Sequence, residues 1–386
     1  MAGARTRLAV ALFPVAFGTN VATPLLLVYD DRLGLSDWTL TALFAVYPLG
    51  LAPALVLSGP ASDVLGRRAV MVPGIVLSGL SSAVLIAGAD HLWMLYLGRF
   101  LLGVVSGLVF VVASAWMAEH GRDAPLWTAR MLALVMYGGF GLGPLVAGIA
   151  GQWLPAPLLG PYLAHIAMVA VAMVVVFTVP ETVTRDRTRR IRPNLGIPEG
   201  RHRAFWTVVV PTGLGVFGMP SLAFGLFPVL LKPAMPGVAV FVSGMLGMLA
   251  MGSIVPAQAV IGRVGPHRGA PLALASGTVG CVLGLIAFGT DTWPLLFIAA
   301  VFMGAASGMA MTSGLRFVDL LCRAEDRGAL TGSFYAVAYA GMMMPVVVTS
   351  IAAVVGSTAV VLGAVALTAA SLAYVLRRTT AHLATT

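Results

Sequence analysis

"GPASDVLGRR", residues 59–68, is a short polar break between "TALFAVYPLGLAPALVLS" (41–58) and "AVMVPGIVLSGLSSAVLIAG" (69–88). Each flanking run has the length of about 20 residues that a helix needs to cross ~30 Å of hydrocarbon. The rest of the chain repeats the pattern. Of its 386 residues, 59% are hydrophobic and 10% charged, against roughly 25% charge in a soluble domain. So little charge cannot cover a water-facing surface, and the sequence reads as an integral membrane protein. The apolar runs are continuous rather than alternating, which selects membrane helices over a β-barrel.

Twelve spans are expected, near 8–28, 39–58, 69–88, 92–117, 128–152, 160–179, 206–230, 238–261, 269–289, 293–316, 329–354 and 358–376. The first follows Arg5 and Arg7 and is longer than the ~7–15-residue core of a signal peptide, so it reads as a retained span. Of 23 basic residues, 22 are Arg and 20 fall in alternate loops on one side; Arg32 and Lys232 lie opposite. That side reads as cytoplasmic, with both termini inside a bacterial plasma membrane. The net charge of +9 is therefore topology and not a nucleic-acid surface. The seven Trp stand at span ends, where the headgroup region favours them. Cys281 and Cys322 are not expected to pair.

Residues 183–204 form an Arg-rich central loop dividing an N-terminal bundle (1–182) from a C-terminal one (205–386). An internal repeat supports the division. At an offset of 201, "GVVSG" (103–107) falls on "GAASG" (304–308), Pro144 on Pro345 and Arg67 on Arg268. Two pseudo-symmetric six-helix bundles follow, related by an axis along the membrane normal. Val264 then stands where Asp63 would repeat.

The loop "G59-x-x-x-D63-x-x-G66-R67-R68" in a six-plus-six chain resembles the signature loop of the major facilitator superfamily. "RFLLGVVSG" (99–107) resembles that family's fourth-helix motif. "GGFGLGPLVAG" (138–148) resembles its fifth-helix antiporter motif, lacking a Gly near Arg130, and "VPET" (179–182) recurs in drug exporters. The resemblance implies twelve helices, rocking of two halves about a midplane site, and the twelve-helix drug:proton antiporter branch.

From the residues themselves, Gly59 suits close helix approach and Gly66 a sharp reversal. Asp63 has two available partners: a cytoplasmic Arg, or the N-terminus of a helix from the other half, span 11 near Gly328–Ser333. Gly59, Asp63, Gly66, Arg67 and Arg68 then form a conformational latch, or simply a turn that fixes topology. Arg99 lies ~12 Å into span 4, where a charge costs at least ~2.5 kcal/mol. It either faces a polar interior, with the proton-coupling role the resemblance implies, or snorkels outward. No acid stands mid-span, so Asp30 and Asp31 at the outer end of span 1 are the nearest proton carriers, or else solvated loop residues. Glu119 reads as an interface charge. Gly139, Gly143, Pro144 and Gly148 put a smooth, kinkable face on span 5, suited to sliding halves or to plain packing.

In the family, helices 1, 4, 7 and 10 line the cavity. The resemblance therefore picks out Phe13, Phe17, Asn20, Phe110, Phe217, Phe224, Met303 and Met311, with Tyr137 and Tyr335 beside them. Low polarity and 19 Met favour hydrophobic or amphiphilic cargo over sugars. No phosphate loop, metal spacing or nucleophile elbow is present in the sequence. The expectation is a cofactor-free, non-enzymatic monomer in lipid, driven by a proton gradient. The alternatives are an uptake or symport carrier, and a transport-inactive sensor.

Overall fold

The computed structural model describes residues 2–184, 196–197, 200–322 and 327–383. The expected central loop therefore lies largely outside the described residues. Among the described residues, twelve helices are long and apolar enough to cross a membrane. They are α1 (Gly3–Leu33), α2 (Asp37–Leu65), α3 (Arg67–Asp90), α4 (Leu92–His120), α5 (Pro125–Trp153), α6 (Gly160–Phe177), α7 (His202–Leu230), α8 (Ala239–Val264), α9 (Pro266–Thr290), α10 (Leu295–Leu321), α11 (Arg327–Val355) and α12 (Thr358–Arg377). The protein is an all-helical, multi-pass membrane protein.

The polar break is shorter than its composition suggests. Helix α2 continues through Pro60 and Asp63 to Leu65, and α3 begins at Arg67. Only Gly66 leaves the helical conformation, at φ 97° and ψ 151°, a region closed to residues with a Cβ. One glycine thus turns the chain. The second half does the same at Gly265, with φ 78° and ψ 166°.

The chain forms two compact units. The first comprises Met1–Ser36 with Val46–Pro193, the second Asp37–Ala45 with Asn194–Thr386. The start of α2 thus belongs to the second unit, a departure from the sequence boundary. There the Trp38 indole donates to Ser350 Oγ at 3.0 Å, and Thr41 Oγ1 lies 2.8 Å from Thr349 Oγ1.

Both units use the same glycine seams. A Cβ on Gly103 of α4 would enter the Tyr47 carbonyl of α2, and one on Gly107 would meet the Leu51 carbonyl at 2.7 Å. In the second unit Gly304 meets the Ala250 carbonyl and Gly308 that of Ile254. The offset of 201 holds for these glycines. It drifts at the turn: Gly66 corresponds to Gly265, an offset of 199. From Leu51 to Gly66 is four residues further than from Ile254 to Gly265, so α8 ends about one helical turn sooner. Counted from the turn, Gly262 rather than Val264 takes the place of Asp63, and Arg268 is not the counterpart of Arg67.

These seams predict a paired result. Gly103→Ala and Gly304→Ala should each destabilise the protein by about 1–3 kcal/mol, because backbone must move to admit the methyl. Gly252→Ala, with nothing within 4 Å of its Cβ, should leave the thermal unfolding midpoint in detergent unchanged. Equal midpoints for all three variants would contradict this packing.

Five tryptophans, at 38, 93, 127, 153 and 206, are exposed at helix ends, as the sequence suggests. Trp116 is not. It is fully buried, and its indole donates to the Pro180 carbonyl at 3.0 Å. Neither Cys281 nor Cys322 is in a disulfide among the described residues.

Candidate functional site

Two polar clusters occupy the first unit, one at its Arg-rich end and one in its interior. At the Arg-rich end Arg67 is the hub, with its side chain 8% exposed. Its Nη1 donates to Asp63 Oδ1 and to Ser62 Oγ, its Nη2 donates to Glu119 Oε1 at 2.6 Å, and its Nε also reaches Glu119. Asp63 therefore has an Arg partner within its own unit. Ser333, at the start of α11, instead bonds both the N–H and the carbonyl of Gly196 within the second unit.

The segment after α6 closes over this hub. The Glu181 carboxylate accepts from the backbone N–H of Arg67 at 3.0 Å and of Arg68 at 2.9 Å. Those are the first two amides of α3, which have no intrahelical acceptor. The Arg68 side chain donates to the Val179 carbonyl, and Thr182 donates to Glu119. The Pro180 carbonyl faces both Trp116 and His120, so His120 Nε2 must carry the proton there. Arg7 donates to the Thr178 carbonyl at 2.9 Å. Arg5 pairs with Asp123 at 3.0 Å and lies over the Trp127 ring. "VPET" is thus a strap tying α3 and α4 together, with α1 joined through Thr178 just before it.

Two sequence readings change here. Glu119 is not a simple interface charge but the principal partner of Arg67. Gly59 does not serve close approach, since a Cβ there would meet only Val111, at an ordinary 3.6 Å.

In the interior, Arg99 is 1% exposed. Snorkelling is therefore not its arrangement. Its guanidinium lies over the Tyr47 ring, 5.4 Å from the centroid, and Tyr162 also faces it. Tyr162 Oη lies 3.2 Å from Tyr29 Oη, which donates to the Leu85 carbonyl. On its other side Tyr47 meets Ser106, and Ser106 lies 3.5 Å from Thr19. Four helices, α1, α2, α4 and α6, contribute hydroxyls to this chain around one cation.

Asp30 and Asp31 sit at the far end of α1. Asp31 is exposed and lines a cavity of about 540 Å³ with Val28, Ile86 and Leu159. Neighbouring Arg32 pairs with Asp90 at 2.7 Å, both exposed.

A model of the Major Facilitator Superfamily matches residues 8–289. The chain belongs to that superfamily. It is 27% identical over 321 residues to the tetracycline resistance protein, class E, of Escherichia coli, spanning 75% of this chain and 74% of that protein. It is 30% identical over 200 residues to the multidrug resistance protein MdtL of Escherichia coli, spanning 48% of this chain and 47% of that one. A crystal structure of the nucleoside transporter NupG superposes with a TM-score of 0.74 at 13% identity, over 98% and 99% of the two chains. A peptide transporter POT gives 0.80 at 13%, over 98% and 94%. These two share the fold.

Within this superfamily fold the expected cargo-lining residues separate into groups. In the first unit Phe110 meets Phe140 edge-on at 5.1 Å, Tyr137 lies 6.2 Å from the same ring, and Asn20 donates to the Phe140 carbonyl at 3.3 Å. In the second, Phe217 stacks on Tyr339 at 4.5 Å, and Tyr335 stacks on Tyr339 in turn. Tyr339 was missed, although its spacing of four from Tyr335 on one helix face could have revealed it.

Other expected residues serve packing. Met303 is fully buried against Gly280, whose Cβ would lie 2.5 Å from it, in the α9–α10 seam. Met311 belongs to the core of the second unit, and Phe224 packs edge-on against Phe44. Phe13 lines a groove of about 430 Å³ with Val10, Val135, Met168 and Val171, between α1, α5 and α6. Phe17 is buried against the antiporter-like glycines: a Cβ on Gly139 would meet Ala16 at 2.6 Å, and one on Gly143 would enter the Phe17 carbonyl. Those glycines, with buried Pro144 and Gly148 on the same helix, close the α1–α5 seam inside the first unit. They are not a bare face.

Proposed function

We propose that this superfamily member exports hydrophobic or amphiphilic small molecules in exchange for protons, by alternating access, as a monomer with both termini cytoplasmic. The observation that carries the reading is the likeness to a tetracycline resistance protein over three quarters of both chains. In this reading Gly59, Asp63, Gly66, Arg67 and Arg68, with Glu119 and Glu181, form the latch on the cytoplasmic side. Arg99 supports coupling, with Asp30 and Asp31 available to protons from outside. Asn20, Phe110, Tyr137, Phe217, Tyr335 and Tyr339 offer apolar faces with few hydrogen-bonding groups, which suits ring-rich cargo. Proton-gradient drive is consistent with this interior, where a buried cation is surrounded by hydroxyls that respond to local charge.

The test is a panel of tetracycline, ethidium and a set of nutrients in inverted membrane vesicles, with and without an imposed pH gradient. Tetracycline or ethidium should accumulate at least about tenfold faster with the gradient, a difference of ~1.4 kcal/mol, and an uncoupler should abolish it. Gradient-dependent movement of a nutrient alone would replace this reading with an uptake carrier.

A further inference from the structure

All fourteen acidic residues of the chain fall outside the middle of any span. One titratable side chain nevertheless lies deep in the first unit. His165, on α6, is completely buried. Its Nδ1 is 2.7 Å from Ser82 Oγ and its Nε2 is 3.4 Å from Ser78 Oγ, both on α3. The ring fills the space that a side chain on Gly18 of α1 would need, since a Cβ there would overlap the imidazole. Gly18 is 15 residues into α1 and Ser78 is 11 into α3, so at 1.5 Å per residue the ring stands about midway along both helices. The other described histidines lie at or near helix ends.

We propose that His165 is a proton-binding site, and that the proton it holds is one exchanged against cargo. The second clause rests on the exporter reading above; the first does not. A helical serine can donate to its own backbone and accept from a neighbour, or donate to that neighbour. Ser78 and Ser82 can therefore partner either the neutral ring, with one N–H, or the imidazolium, with two. The Pro14 carbonyl also faces the ring and accepts when the nitrogen facing it carries a proton. A histidine that merely fills space has no need of two such adaptable partners.

The surroundings leave the charge uncompensated but connected. From α3 only the two serines face the ring, because no titratable residue occurs between Arg68 and Asp90. On α6 itself Tyr162 precedes it by one turn. From α1 Tyr29 bonds Tyr162, α5 carries Arg130 and Tyr137 as its titratable residues, and Arg99 of α4 faces Tyr162. A proton on His165 thus adds a second positive charge to the interior that holds Arg99. Gly18 puts that charge against the α1 backbone, one residue from Phe17 in the α5 seam and from Thr19 beside Ser106. Protonation and the position of α1 are thereby linked.

The experiment uses the purified full chain labelled with ¹⁵N-histidine, in micelles and in vesicles. The His165 ring signals, identified by their loss in His165→Asn, should titrate as the pH is taken from about 8 down to about 4. Ser82→Ala should move that midpoint by about half to one pH unit, and it provides the assignment if His165→Asn does not fold. A ring that stays in one protonation state over that range overturns the proton site. In vesicles, His165→Asn should lower ethidium accumulation driven by a pH gradient at least about tenfold, while ethidium exchange at equal pH stays within about twofold. Unchanged gradient-driven accumulation removes His165 from the exchange. If the wild type itself ignores the gradient, the exporter reading fails and the titration alone decides the proton site.

Discussion

Arg67→Ala should be the most damaging substitution at the Arg-rich end of the first unit. Removing one partner from a fully buried ion pair costs ~3–5 kcal/mol. Glu119 is 21% exposed and keeps its bond from Thr182, so a loss of about 2–3 kcal/mol is expected here. The order of effects discriminates more sharply than the size. Asp63 is 54% exposed, where an ion pair contributes ~1 kcal/mol or less. Asp63→Asn should therefore leave the unfolding midpoint nearly unchanged, with Glu119→Ala between it and Arg67→Ala. Transport should follow a different order. Both Arg67→Ala and Asp63→Asn should slow the proposed gradient-driven efflux at least about tenfold at equal expression, because the proposed latch must remake its bonds every cycle. A double-mutant cycle should give a coupling for Arg67 with Glu119 of ~1.5 kcal/mol or more, and a smaller one for Arg67 with Asp63. Normal efflux by Asp63→Asn would reduce the cluster to a topological turn.

The twelve spans, the paired halves and the turn at Gly66 were legible in the sequence because each depends on local chemistry. Apolar length sets a span, and a positive φ requires glycine. The strap was harder to read. Glu119 and Glu181 are 62 residues apart, and neither signals that one will receive the guanidinium of Arg67 and the other the amides of its helix. Trp116 looked like an interfacial anchor because its distance from a helix end cannot reveal a carbonyl beside it. Met303 and Gly280 show the same limit from the other side. A flexible apolar residue at cavity-facing spacing is indistinguishable from one that fills a seam until its neighbour is known to be glycine. His165 was invisible for a related reason. Its serines lie on another helix, and the gap that admits it is a missing Cβ on a third. The constant offset between halves also held only where glycines pack on backbone; it failed where one helix lost a turn.

Arg99→Met should separate stability from function. The guanidinium is buried over Tyr47, and the stacking contributes about 0.5–2 kcal/mol. Against that stands the cost of desolvating a charge, several kcal/mol even after relaxation. Tyr47 and Tyr162 face it with phenols, which offset less of that cost than a carboxylate would. Methionine, of similar length and apolar, removes the stacking and the desolvation cost together, so the protein should stay within about 1.5 kcal/mol of the wild type. Gradient-driven efflux should nevertheless fall at least about tenfold, since the interior then lacks the charge to which a proton can couple. Arg99→Lys should behave differently. It keeps the charge but loses the planar face that lies on Tyr47, so it should be less stable than Arg99→Met and still transport poorly. Thermal unfolding in detergent, beside efflux in vesicles, measures both quantities on one preparation. If Arg99→Met unfolds the first unit while Arg99→Lys transports normally, then Arg99 is a structural keystone and the coupling role fails.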